Sequence, residues 1–332
     1  MKKISSILTI MIAFALTNVC IAQNDFNKAT ENEDKIKVKL DFPTEGRNSK
    51  NGGGYSTNVE LLNPKPKKVA LVSFYLYDPA KGKATGGAYA GTASTAVWRT
   101  SDVMGQQHVD AFYNEGIEAL KSSFKAYNID LLTPDEFLDT EDKKEFYYGF
   151  NQETAKKEKT SVTKSKNAGT GLSTIASSTV STLKICPTGK GYREFFVANE
   201  AADESLPLVL TTGGIFSANR KMSSSLGYEL CKALDVDAVV ICYIVTRKLK
   251  KNKEDYGVNA VNLFMFGPNP IIEGTDDKNR GQFYCGTRVY FKGANAIFHD
   301  NKSNKTNTKG FANMITAMVK KTCNWVINKA KK

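Results

Sequence analysis

The sequence predicts an exported α/β protein whose mixed sheet is flanked by helices. Nearly continuous apolar runs at 69–76 and 237–245 are typical of strands that are buried on both faces. Apolar residues at helical spacing over 109–124 and 311–326 indicate amphipathic helices. Strands that alternate with helices along a chain are the pattern of an α/β domain.

Residues 1–22 have the pattern of a cleavable secretory signal peptide. Two lysines precede an apolar run over 4–16, and Cys20 and Ala22 are the small residues that signal peptidase recognises. The run is shorter than the roughly 20 residues that span a bilayer, which favours cleavage over a permanent anchor. We therefore expect a mature protein that begins near Gln23 and resides in the periplasm or on the periplasmic face of the outer membrane.

Residues 23–66 are predicted to be a disordered leader, because they are polar and contain a run of three glycines. A single α/β domain is expected over 67–332. The predicted elements of its first part are a strand at 69–76, a loop at 78–105, a helix at 108–126, a strand at 129–132 and a helix that opens with the capping box Thr133–Glu136.

A long polar insertion is predicted at about 140–191, where charged residues are followed by serine, threonine, glycine and lysine. Apolar residues at 172–183 keep helical spacing, so this stretch is either a weak amphipathic helix or partly disordered. The predicted order is β-α-β, the insertion, and β-α-β-β-β-α, in two or three layers. The elements after the insertion are strands at 206–210, 237–245, 258–265 and 282–291 and helices at 219–234 and 311–326.

The positive charge of the chain, formally +12, is concentrated in two lysine-rich segments. Residues 151–192 hold seven lysines against two glutamates, and residues 301–332 hold eight lysines and no acidic residue. The rest of the mature chain is therefore slightly acidic. Lysine without interleaved arginine and aromatic residues does not favour nucleic-acid binding. Solvated surface is the first interpretation of both segments, and contact with anionic lipid or acidic glycan is the second.

Five cysteines remain once the signal peptide is removed, and their spacing predicts neither a metal site nor a redox centre. They form no CxxC motif and have no histidine nearby. The odd number leaves at least one free thiol, and spacing alone assigns no disulfide. Four of them lie in apolar segments, where buried cysteine is common. The five are Cys186, Cys231, Cys242, Cys285 and Cys323.

The sequence lacks the familiar catalytic patterns. His108 and His299 are the two histidines of the chain, and both are predicted to lie on the surface because neither has a partner at the spacing of a triad or a metal site. The glycines at 86–91 and 212–214 lack the Gly-Lys-Ser/Thr ending of a phosphate loop. No catalytic residue, cofactor or metal is therefore predicted.

Acidic residues leave one enzymatic alternative open. Asp235 and Asp237 bracket the entry to the strongest strand, and Glu229 and Asp130 lie near other core elements. Two carboxyls that face each other at roughly 5–10 Å would suit an enzyme acting on glycan or peptidoglycan. Acids at helix ends and turns usually have structural roles instead.

The loop at 78–105 is the best candidate for a functional surface. It leaves the carboxyl end of the first strand, the edge at which open α/β sheets bind ligands. It carries Tyr89, Trp98 and Arg99, residue types that are enriched where proteins bind partners. The alternative is a mobile loop with Trp98 packed onto the domain.

Two stretches of the chain resemble a known family. The chain is similar to the curli-export lipoprotein CsgG at two places. The first is the strand Lys67-Lys68-Val69-Ala70-Leu71-Val72-Ser73-Phe74, with the helix and short strand that follow it. The second is Val236-Asp237-Ala238-Val239-Val240-Ile241, which comes at a helix end. The relatives of CsgG, LpoB, which activates penicillin-binding proteins, and the N-terminal domain of TolB, share this pattern. The similarity covers about 67–139 and 219–332.

The resemblance implies a periplasmic or outer-membrane assembly module that binds other proteins and has no catalytic residues. This chain departs from the family in lacking a lipidated cysteine and alternating apolar hairpins for a pore; segment 151–184 has roughly that place but is polar. We therefore expect a non-catalytic interaction protein that serves an envelope export or assembly complex and binds envelope proteins. The carboxylate-dependent enzyme remains the alternative.

Overall fold

The structure is a computed structural model and describes residues 25–41, 65–78, 81–85, 94–98, 100–150, 183–195, 225–250, 253–269, 280–291, 296–300 and 305–329. These residues form a nine-stranded mixed sheet with helices on both faces and a separate two-stranded hairpin. The predicted α/β class with a mixed, helix-flanked sheet is therefore confirmed. No helix within these ranges is long and apolar enough to cross a membrane.

The bounds of the strands and helices follow in chain order. The strands are β1 (Val38–Asp41), β2 (Lys68–Asp78), β3 (Lys81–Thr85), β4 (Ser94–Trp98), β5 (Asp130–Leu132), β6 (Leu183–Ile185), β7 (Ala238–Lys250), β8 (Lys253–Pro268), β9 (Gly281–Tyr290), β10 (Ala296–Asp300) and β11 (Lys305–Thr306). The α-helices are α1 (Phe26–Thr30), α2 (Asp102–Lys125), α3 (Pro134–Phe137), α4 (Glu141–Gly149), α5 (Cys231–Leu234) and α6 (Phe311–Lys329). A 3-10 turn at Glu33–Lys35 follows α1, and a π-helical turn at Ser225–Leu230 precedes α5.

The sheet is built around β2. Along the main path the strands are ordered β1-β9-β8-β7-β2-β5, and β2 runs parallel to both of its neighbours, β5 and β7. The other neighbours on this path pair antiparallel. β6 pairs with the end of β2, while β10 pairs with the start of β8 and with β11.

Both faces of β2 are covered, as its apolar run predicts. Ten of its eleven residues are buried, so the sheet needs a layer of structure on each side. The alternation of its side chains shifts at Ser73, where the register with β7 contains a bulge. One core cluster contains Val69, Leu71, Phe74 and Leu76, and the other contains Ala70, Val72, Tyr75 and Tyr77.

The first layer consists of α2 and α6, which pack side by side on one face of the sheet. Gly116 makes their close approach possible, because a Cβ atom there would stand 2.4 Å from Cε1 of Phe311. The apolar stripes predicted for both helices lie in the core. In α6 the buried members of the stripe are Phe311, Met314, Ile315, Met318, Thr322 and Val326.

The second layer combines α3, α4, α5 and the segment 193–195 on the opposite face, whereas Tyr192 packs in the cluster of the first layer. Tyr147 of α4 donates its hydroxyl to Val72 O at 2.7 Å and accepts from Arg193 N at 3.1 Å. Ser73 donates to Arg193 O at 2.5 Å and accepts from Phe195 N at 3.1 Å. The bulge in β2 thus binds the 193–195 segment through buried side-chain hydrogen bonds.

The capping box predicted at the start of α3 is present. Glu136 accepts from the backbone N–H of Thr133 at 2.8 Å and from the Thr133 hydroxyl at 2.7 Å. Pro134 occupies the first turn, where its missing N–H costs nothing. Lys121 of α2 adds an ion pair to Glu136 at 2.8 Å, which joins the two helices.

The prediction of a disordered leader over 23–66 is wrong for residues 25–41. Phe26 is fully buried, and its ring centroid lies 5.9 Å from that of Phe112. Asn27 accepts from Gly310 N at 3.3 Å, and Asn313 donates to Thr30 O at 3.0 Å. β1 then pairs with β9 as the last strand of the path. This segment has no periodic pattern of apolar residues, because a single buried side chain, that of Phe26, holds a helix of only five residues.

The insertion predicted at about 140–191 is folded at both ends. α4 occupies 141–149, and β6 opens a segment over 183–195 that is bonded to α2. Gln106 donates to Cys186 O at 3.0 Å, and Asp110 accepts from Thr188 N at 2.8 Å. Residues 151–182, and with them most of the helix suggested at 172–183, lie outside the described residues, as do the strand predicted at 206–210 and the first part of the helix at 219–234.

Candidate functional site

The loop predicted at 78–105 contains a β-hairpin that is closed at its base. Asp78 ends β2 and is 2% exposed, so its carboxylate requires donors. It accepts from Thr100 N at 2.7 Å and from Thr100 Oγ1 at 2.6 Å. Ser101 then caps α2 by accepting from Met104 N at 3.3 Å. The residues on either side of the segment 79–99 are therefore held together by these hydrogen bonds.

Within that segment β3 and β4 pair antiparallel, with Lys81 opposite Trp98 and Thr85 opposite Ser94. The backbone register therefore places Lys81 opposite Trp98 and Gly82 opposite Val97 at the base of the ribbon. Trp98, predicted as a partner-binding residue, lies at the base of this hairpin, whereas Tyr89 and Arg99 lie outside the described residues.

The hairpin stands at the carboxyl end of β2, the edge that the sequence favoured. Among the described strands, β3 and β4 pair only with each other and form a sheet of their own. Isolated two-stranded hairpins are marginally stable in water, and their outer edges present unpaired N–H and C=O groups. A strand of a partner protein could therefore pair with either outer edge of the hairpin, whose base is held in place on the domain.

The two histidines contradict their predicted surface positions. His108 is fully buried and His299 is 2% exposed, and their ring centroids lie 5.1 Å apart. Tyr256 and Phe298 each stand 4.8 Å from the His108 ring. His108 precedes Phe112 by one turn on the buried row of α2, a spacing that could have placed it in the core.

The polar contacts and protonation of this buried pair differ between the two rings. Thr306 Oγ1 lies 2.8 Å from Nδ1 of His299, whereas neither ring nitrogen of His108 has a hydrogen-bond partner among the residues that the structure describes. Burial, and secondarily the charge of His299, lowers the pKa of His108 to about 3. His108 is therefore neutral at pH 7. Within the described residues, no group of three histidines, cysteines or carboxylates is arranged to hold a metal ion.

All five cysteines within the described residues are free thiols. Four are buried, as expected from their apolar segments: Cys231, Cys242, Cys285 and Cys323. Burial raises the pKa of the Cys323 thiol to about 12 and also raises the pKa of the other three thiols. Because the thiolate is the reactive species, these groups are poor nucleophiles.

The four carboxylates that left an enzymatic alternative open lie in structural settings. Asp237 accepts from Lys67 N and Lys68 N, each at 2.8 Å, and so joins the starts of β2 and β7. Asp235 ends α5 with a positive φ of 55° and pairs with Lys68 at 3.2 Å. Asp130 pairs with Lys125 at 2.6 Å, and Glu229 is exposed on the π-helical turn.

Comparisons with protein-family models, with curated proteins and with solved structures gave no match to this chain.

The bond between Asp78 and Thr100 can be tested by a substitution that keeps side-chain volume. Thr100→Val is expected to lower the free energy of unfolding by about 1–3 kcal/mol, because the buried carboxylate loses a hydroxyl donor. Urea unfolding measures the change. Ser122→Ala is the control and should cost less than about 0.5 kcal/mol, since the exposed Ser122 hydroxyl bonds back to its own helix. Equal effects of the two substitutions would refute the anchoring role.

The buried histidine predicts a pH dependence. A histidine whose folded pKa is lowered binds more protons when unfolded, so its contribution to stability is lost as pH falls from 6.5 toward 3. Between pH 7 and pH 5 this loss is about 2 kcal/mol. His108→Phe, which keeps a ring beside Tyr256 and Phe298, should remove that part of the slope. Urea unfolding of wild type and variant at both pH values measures the difference. An equal loss of stability in the two proteins between pH 7 and pH 5 would contradict this account.

Proposed function

We propose that this protein is a non-catalytic assembly subunit of the bacterial cell envelope that engages a protein partner through the β3–β4 hairpin. The observation that carries the proposal is a two-stranded hairpin bonded to the domain at its base. Within the described part of the chain, no other strand pairs with either of its edges. Strand addition to such an edge gives affinity through main-chain hydrogen bonds, and neighbouring side chains give specificity.

The fixed base supports this function energetically. Binding by a flexible loop loses the entropy of ordering that loop, and preorganisation lowers this cost. The Asp78–Thr100 bonds hold both ends of the hairpin, and the register fixes Trp98 opposite Lys81. Tryptophan is among the residue types that are enriched at binding hot spots.

The cellular setting and the family likeness belong to the same proposal. The signal-peptide pattern at 1–22 supports export to the periplasm or the periplasmic face of the outer membrane. The similarity to CsgG, LpoB and the N-terminal domain of TolB supports an export or assembly complex as the place of action. The structural partners of Asp235, Asp237 and Asp130 give the enzymatic alternative no support.

Site-specific photo-crosslinking in intact cells tests the proposal. A photoreactive amino acid at position 98 or 81 is expected to give one discrete adduct with an envelope protein, because these positions are opposite each other in the register of the hairpin. The control is position 142, an exposed site on α4. The adduct is identified by mass spectrometry of the purified species. Identical adducts from positions 98 and 142, or none from the hairpin, would argue against the proposal.

A further inference from the structure

A short ribbon of the sheet, formed by β10 and β11, lies over the buried histidine His108. β10 pairs with the start of β8, where His299 stands opposite Tyr256, and β11 pairs with the end of β10. The register with β8 shifts just before His299, so that the consecutive residues Phe298 and His299 both lie beside His108. The ribbon thus supplies part of the cover that keeps His108 away from water.

The surroundings of His108 suit a neutral imidazole and disfavour a charged one. The ring centroids of Tyr256 and Phe298 each lie 4.8 Å from that of His108, and His108 is fully buried. Neither of its ring nitrogens has a hydrogen-bond partner within the ranges that the structure describes. An imidazolium has two N–H donors, and burying it without acceptors costs more than burying a neutral ring. A proton on His108 therefore destabilises the closed ribbon.

His299 is the titratable neighbour that acts on His108. Burial is the larger cause that lowers the pKa of His108 to about 3, and the charge of His299, whose ring centroid is 5.1 Å away, is the second. Lys248 of β7 places its ammonium group 6.0 Å from the ring centroid of Tyr256. The other titratable groups on β10, β8 and α2 in this region are the exposed Asp300, Asp255, the exposed Asp102, and Asp110, which accepts from Gln106 and Thr188.

The ribbon is attached more lightly than the elements beneath it. β10 has five residues and β11 has two, whereas β8 has sixteen and α2 has twenty-four. Short segments with few backbone pairs open at a lower free energy than core strands do. β9 pairs with β8 from Ala260 onward, so β10 is the neighbour that covers this edge of β8 at 256–258. Opening of the ribbon therefore exposes both His108 and a strand edge.

From this geometry we infer that the β10–β11 ribbon is an acid-sensitive latch: as the medium acidifies, a proton binds His108 in the open form and holds the ribbon away from α2 and the start of β8. In the open form His108 contacts water and titrates near its ordinary pKa of about 6.5. In the closed form its pKa is about 3, so acid favours opening. The ratio of open to closed protein should rise about 25-fold between pH 7 and pH 5. The main-chain groups at 256–258 then become available to a partner strand.

Hydrogen exchange of the processed protein, purified from cells and followed by mass spectrometry at pH 7 and pH 5, tests the latch. Each measured rate is divided by the intrinsic exchange rate at the same pH, which gives the opening equilibrium of the paired amides in β10 and β11. At pH 7 these amides should exchange at least about tenfold faster than those of β2, because the opening is local. Their opening equilibrium should rise about 25-fold at pH 5.

Variants at His108 identify the titrating group. His108→Phe keeps a ring beside Tyr256 and Phe298, and the change between the two pH values should shrink to less than about fivefold. His108→Met, whose unbranched side chain adapts to the same space, is the second variant if His108→Phe does not fold. The matched control is Tyr113→Phe on the same helix, which removes a hydroxyl 3.4 Å from that of Tyr192 and leaves both histidines in place. It should keep the change of about 25-fold.

Three results would overturn the latch. A wild-type change of less than about threefold would show that opening of the ribbon does not expose His108. An undiminished change in the His108 variants would assign the pH dependence to another group. Equal exchange rates for the ribbon and β2 at pH 7 would show that the ribbon opens only when the whole domain unfolds.

Discussion

The burial of β2 on both faces is the constraint on which the rest of the structure depends. A parallel strand whose side chains are apolar on both sides is stable only when a layer of structure covers each face. α2 and α6 supply one layer, and the helices of the other layer are joined by the segment 193–195. Ser73 interrupts the apolar run at the bulge and provides the hydroxyl that bonds this segment.

The same constraint explains why two long connecting segments do not divide the domain into two. The chain departs after Asp78 and returns at Thr100, where two hydrogen bonds close the gap. It departs again after α4 and returns at β6, which pairs with the end of β2. The closing entropy of a loop grows slowly with its length, so fixed end points matter more than the number of residues between them.

Long periodic elements could be predicted from the sequence, because a long buried strand or helix has apolar residues at regular spacing over many positions. β2, β7, α2, α6 and the capping box at Thr133 were all expected. Short elements could not. Phe26 anchors a five-residue helix, and residues 186–195 are held by bonds from Asp110, Tyr147 and Ser73 that follow no period.

At the candidate site, the position of the loop could be predicted from the sequence, whereas its internal structure could not. The loop after β2 could be singled out by its position and by Trp98, but its small residues and lysines gave no sign of a hairpin. The hydrogen bonds between Asp78 and Thr100 could not be predicted either, because the two residues are 22 positions apart in the chain. The surface position predicted for His108 is wrong because His108 lies on the buried row of α2, one turn before Phe112.

The central claim is that residues 26–40 and 183–195 belong to the same cooperative unit as β2. Native-state hydrogen exchange, followed by mass spectrometry, measures the free energy of the opening that exposes each segment. The account predicts that the paired amides of β1, of β6 and of Arg193 and Phe195 exchange within about 1 kcal/mol of those of β2. Exchange of either segment at the rate of an unstructured peptide, while β2 stays protected, would contradict it.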